Sequence, residues 1–130
     1  MIEFKNMVEL IKRVAELQLE YSHKNTELMQ ERGVIIRDGL PEELERYSQV
    51  LSDRLGRFGG DLKIHGKDGI GRKTEAPWVR LSSSKLSPSA TEGYYVVIHF
   101  SIDGKRCYVT VGFGSSKWDT DKGDLVKKSD

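Results

Sequence analysis

Apolar residues in the first twenty positions recur mostly at helical spacing. Ile2, Phe4, Met7, Val8, Leu10, Ile11, Val14 and Leu17 alternate with Lys and Glu. This pattern predicts an amphipathic helix from about residue 3 to 21, ending near His23–Asn25. A short link with Gly33 and the β-branched Val34, Ile35 and Ile36 follows. Asp38-Gly39-Leu40-Pro41-Glu42-Glu43 then predicts the opening of a second helix. Pro41 stands near its first position, and the two glutamates suit the positive end of the helix dipole. Its expected buried stripe is Leu44, Tyr47, Val50 or Leu51, and Leu55, with Gly56 as its end and Gly59-Gly60 as a chain break.

From Leu62 the pattern changes to alternation. A strand over Ala76–Leu81 is followed by a polar loop from Ser82 to Thr91 and a hairpin over Gly93–Phe113. Asp103-Gly104 reads as a two-residue type I′ turn, the tightest link between antiparallel strands. It sets Phe100 against Cys107, His99 against Tyr108, Ile98 against Val109, Val97 against Thr110 and Val96 against Val111. The pleat then separates two faces. Tyr94, Val96, Ile98, Phe100, Cys107, Val109, Val111 and Phe113 form a predicted core face against the helices. Tyr95, Val97, His99, Ser101, Arg106, Tyr108 and Thr110 form the other, which is aromatic and polar. On the preceding strand Trp78 and Arg80 share one side. If Trp78 joins the His99 face, a shallow aromatic pocket results. The predicted fold is α+β, with two N-terminal helices packed on one face of a small, mainly antiparallel β-sheet.

Charge sharpens this picture. The 130 residues carry a formal net charge of +1. Residues 1–55 hold 8 Lys/Arg against 11 Asp/Glu, whereas residues 56–110 hold 9 against 5. The basic excess therefore falls on the glycine-rich Gly66–Lys73 loop and the sheet, where a polyanion could use it. No apolar run approaches the ~18 residues of a spanning helix, no secretory h-region opens the chain, and a cytoplasmic setting is expected. The single cysteine, Cys107, excludes an internal disulfide. His23, His65 and His99 lack metal-ligand spacing. The loop has no Gly-x-x-x-x-Gly-Lys-Ser/Thr, so neither a cofactor nor a nucleotide is implied.

The ordered set Gly69-Ile70-Gly71, Pro77-Trp78, Gly93-Tyr94-Tyr95 and Tyr108-Val109-Thr110-Val111-Gly112, with Arg37–Glu42 upstream, resembles one family. It is similar to the N-terminal DNA-binding domain of McrB-type, modification-dependent (type IV) restriction proteins, over about residues 30–114. The resemblance implies a reader of modified cytosine, such as 5-methylcytosine, that flips the base out of duplex DNA. By position, Trp78 and His99, with Tyr95 and Tyr108, would wall the base pocket, and Ile70 would be the wedge filling the vacated stack. Lys63, Lys67, Gly69, Gly71, Arg72, Lys73 and Arg80 would meet the DNA backbone. An aromatic face offers a flipped base ~1–3 kcal/mol of stacking. The family usually has an aromatic residue where Ile70 stands and an aliphatic one where His99 stands, so this pocket gains a hydrogen-bonding group.

On this reading residues 1–114 form the DNA-binding domain, and residues 115–130 are a polar tail or the start of a linker. The domain is a non-catalytic targeting module of a restriction system, and nuclease or NTPase activity belongs to a separate domain or subunit. Two other classes stay open. A small metal-dependent nuclease would use Asp61 and Lys63, although the Asp/Glu-x-Lys pattern also occurs at Asp103–Lys105 and Glu3–Lys5. A protein-interaction module would use the Trp78 face as its contact.

Overall fold

The computed structural model describes residues 6–55, 62–87, 89, 91–114, 116–119 and 124–127. The expected positions Ile2, Phe4, Gly56, Gly59, Gly60 and Asp61 lie outside them. Helix α1 spans Met7–Gln18, starting where the Asn6 side chain accepts a hydrogen bond from the Glu9 amide at 3.0 Å. Met7, Leu10, Ile11, Val14 and Leu17 turn toward the core. The helix stops before the expected end, leaving Leu19 73% exposed.

The expected link is a helix. Thr26 caps α2, Glu27–Val34, through a hydrogen bond from the Met29 amide to its hydroxyl. A π-helical segment, Ile35–Gly39, continues into α3, Leu40–Leu55. Among the described residues there are thus three α-helices, and the start expected at Asp38–Glu43 is interior to one continuous run. Burial of Met29, Ile35 and Ile36 outweighs the poor helix propensity of Gly33 and the β-branched residues. The π register follows from Pro41. Its ring removes a donor and crowds the preceding turn, and the wider segment before it carries the Leu40 amide back to the Ile35 carbonyl. Helix α3 packs through Leu40 and Leu44, whereas Tyr47 and Val50, expected in its buried stripe, are more than half exposed.

Four antiparallel strands form the sheet in the order β1 (Leu62–Lys67), β2 (Trp78–Ser83), β3 (Tyr94–Phe100) and β4 (Cys107–Phe113). The fold is α+β. The helices lie on one face, close enough that a Cβ on Gly66 would sit 1.8 Å from the Ile36 carbonyl oxygen. Val79, Ile98 and Phe100 complete the core with Leu10, Val14, Leu17, Met29, Ile35, Ile36 and Leu40.

Two further expectations need correction. The β3–β4 register is the expected one, but its turn is longer. Ser101 pairs with Arg106, the Gly104 amide donates to the Ser101 carbonyl, and only Gly104 takes a positive φ, 73°. A type I′ turn would need Asp103 there as well. One residue added on each side leaves the register unchanged. The β4 half of the supposed core face is uncovered, with Val109, Val111 and Phe113 56–73% exposed and Cys107 exposed too, and so is Tyr94 at the start of β3. Among the helices, α3 and the π segment cover β1 and β2. After Gly114, where a polar tail or the start of a linker was expected, β5 (Ser116–Asp119) and β6 (Asp124–Lys127) pair antiparallel.

A candidate base pocket and its loop

The second face of the sheet is open, and the β1–β2–β3–β4 pairing assembles it. Lys67 stands opposite Trp78, His65 opposite Arg80, Trp78 opposite His99, and His99 opposite Tyr108. A concavity of about 260 Å³ lies on this face, lined by Trp78, Arg80, Tyr95, Val97, His99, Thr110 and Gly112. It falls just below the roughly 300–1,000 Å³ of drug-sized sites, which suits one flat heterocycle.

Each wall has a local cause. Gly112 is the register partner of Tyr95, and a Cβ there would lie 2.2 Å from the Tyr95 ring. The ring lies across the glycine because no side chain opposes it. Above it the Arg80 guanidinium sits 4.8 Å from the ring centroid and donates to the Ser87 carbonyl and hydroxyl, both at 2.9 Å. Arg80, expected on the DNA backbone, is therefore held in the pocket wall. His99 Nε2 is 3.1 Å from the Thr110 hydroxyl, which fixes the imidazole between two strands. His65 meets the Trp78 ring edge-on at 6.0 Å and braces it from the outer strand. His65 is not among the expected site residues, although its i+2 spacing from Lys63 and Lys67 places it on the same face. Tyr108 shares that face but is absent from the pocket lining. Lys63 and Lys67 are exposed along the β1 edge.

The loop between Lys67 and Trp78 leaves the sheet beside the pocket. Ile70 at its tip is 92% exposed. Gly69 and Gly71 flank it with φ of 98° and 74°, values an L side chain rarely adopts. The Arg72 amide donates back to the Ile70 carbonyl at 2.9 Å, closing a three-residue turn over Gly71. Arg72 is exposed. Lys73 is not: it is 7% exposed, and its ammonium lies 2.9 Å from Asp68. Expected to meet phosphate, it instead anchors the loop.

That anchor is a buried ionic cluster. Asp68 is ion-paired with Arg32 through one carboxylate oxygen, 2.7 Å from Nε, and accepts a hydrogen bond from Lys73 on the other. Arg32 also donates to the Gln18 side chain at 2.8 Å and to the Thr74 carbonyl at 2.6 Å. Burial pulls the Arg32 guanidinium below its ordinary pKa, and Asp68 opposes that shift. Tyr21 donates to the Lys73 carbonyl, and Gln18 donates to the Glu75 and Ser101 carbonyls. The helices thus hold the base of the loop rigidly and leave its tip free. Nothing in the sequence pattern marks Arg32 and Asp68 as partners, since 36 positions separate them.

Among the described residues, no three His, Cys, Asp or Glu side chains group to hold a metal ion, and no helix is long and apolar enough to cross a membrane. A family model described as the MrcB-like N-terminal domain matches residues 16–129, which includes the β5–β6 hairpin. Comparisons with curated proteins and with solved structures return no match.

Proposed function

The chain belongs to the MrcB-like N-terminal domain family, and from that premise we propose that it is a non-catalytic module binding duplex DNA and reading a modified cytosine. The base leaves the stack and enters the Trp78–Tyr95–His99 pocket while Ile70 fills the gap. The nuclease or NTPase activity of the restriction system it serves lies on another domain or subunit.

One observation carries the reading: an isoleucine exposed to 92% between two left-handed glycines, on a loop whose closing strand pair includes a pocket residue, Trp78. Such exposure has no folding benefit, whereas apolar wedges between base steps are a recurrent way to open a stack. The pocket offers an indole, a phenol and an imidazole for the flipped base. Lys63, Lys67 and Arg72 remain exposed for phosphates.

A duplex with 2-aminopurine beside the modified cytosine tests it. Binding should raise the probe's fluorescence as its neighbour unstacks, and Ile70→Gly should suppress the rise while the fold persists. Binding without a fluorescence change would argue against extrusion.

A further inference from the structure

A second concavity, about 470 Å³, lies behind the loop and is lined by Asn25, Gln30, Val34, Arg37, Gly69, Gly71 and Lys73. It is distinct from the base pocket and shares none of its lining residues. Three observations converge on its chemistry. First, the buried cluster beneath it sets two cations, Arg32 and Lys73, against one carboxylate, Asp68. An excess charge in a buried site is costly unless something opposite approaches. Second, Arg37 adds another cation, and among the described residues no carboxylate pairs with it. It belongs to the π-helical segment, and a Cβ on Gly33 would meet its guanidinium at 2.8 Å and Asp68 at 3.0 Å, so both groups converge on that point. Third, the amides of Gly69, Ile70 and Gly71 donate to no other described residue. Consecutive free N–H groups in a loop with left-handed glycines are suited to an anion.

We infer that this cleft is a phosphate subsite, in which Arg37 and the Gly69–Gly71 amides hold a DNA phosphodiester beside the nucleotide that Ile70 displaces. The inference rests on the DNA reading above; to the backbone contacts expected of Gly69 and Gly71 it adds Arg37 and a cleft that brings them together. Lys73 and Arg32 supply potential from below without leaving Asp68. The Gln30 amide, tied to the Asn25 carbonyl at 3.0 Å, frames the opposite side. Holding a phosphate next to the wedge fixes the backbone about which a base must rotate.

The test is equilibrium binding of the full chain to one duplex with 5-methylcytosine and its unmodified twin, across a salt series. Wild type, Arg37→Gln, Arg37→Lys and Trp78→Ala are compared after thermal melting confirms each fold. Arg37→Gln should weaken both duplexes about equally, roughly tenfold, and lower the salt slope by about one. Arg37→Lys, which keeps the charge, should keep the slope. Inorganic phosphate alone should perturb the Gly69 and Gly71 amide resonances of wild type and not of Arg37→Gln. An unchanged slope and affinity in Arg37→Gln overturns the subsite, while wild-type binding leaves the DNA reading intact. Loss of slope in Arg37→Lys as well overturns the role of charge. Failure of wild type to bind any duplex overturns both proposals.

Discussion

Single residues divide sharply into those that hold the fold and those free to act. Ile70 touches solvent almost everywhere, so Ile70→Ala should leave stability within about 0.5 kcal/mol of wild type in urea melts. Tyr95 depends on a glycine across the sheet. Gly112→Val should displace its ring, abolish base discrimination and preserve the salt slope of binding, as measured by titrating modified and unmodified duplexes. Glu31 gives a pH signature. Its hydrogen-bonded pairing with Arg13 lowers its pKa below the ordinary 4.5. A depressed folded-state value means stability that is present above 4.5 and lost as pH falls through the folded pKa. The pair is partly exposed, so its contribution is at most about 1 kcal/mol. Urea melts of Glu31→Gln should show that deficit at pH 7 and a smaller one near pH 3. An equal deficit at both would remove the ion pair as its cause.

Among the elements, the hairpin was the most legible from sequence, and the helices were only partly so. Alternation from Tyr94 to Phe113 dictates faces and register because a one-residue slip would exchange them. The turn is four residues long rather than the expected two, yet the register is insensitive to which of the two closes it. Alternation could not say how far the helices reach. Tyr94, Val109, Val111 and Phe113 pattern as core and lie open, since coverage is set by helix packing distant in sequence. Helix α2 was hidden by Gly33 and the β-branched run, although Thr26 with a bonded Met29 amide is an ordinary capping signal. The open face was legible along β3 and β4, whereas the Trp78–His99 pairing that completes it was open in the sequence and is supplied by the structure. The cluster beneath the loop was not, because it joins residues from separate elements. Uneven coverage predicts uneven cost. Ile98→Ala should lose about 2–5 kcal/mol, whereas Val111→Thr on the same face should stay near neutral in denaturant melts.

For the whole molecule, the described helices cover one side of the sheet but leave Val109, Val111 and Phe113 of β4 exposed, while the other side and its loop stay open. The Arg32–Asp68–Lys73 cluster joins the two halves. Asp68→Ala would strand two buried cations and should cost about 3–5 kcal/mol in stability, read in denaturant melts. A loss under 1 kcal/mol would show that the loop is anchored by other means. The function proposed above draws instead on the exposed Lys63, Lys67 and Arg72 and on the half-buried Trp78, Tyr95 and His99 of the open face.

The central claim, that the open face reads a modified base, is tested most directly with matched duplexes differing at one cytosine: unmodified, 5-methyl and 5-hydroxymethyl. Wild type and Trp78→Ala are titrated against each at two salt concentrations. The account predicts tighter wild-type binding to a modified duplex. Trp78→Ala should lose that preference, at a cost of about 1–3 kcal/mol on the modified duplex, with its salt slope unchanged. Equal binding of all three duplexes by wild type, or a preference that survives Trp78→Ala, would contradict it.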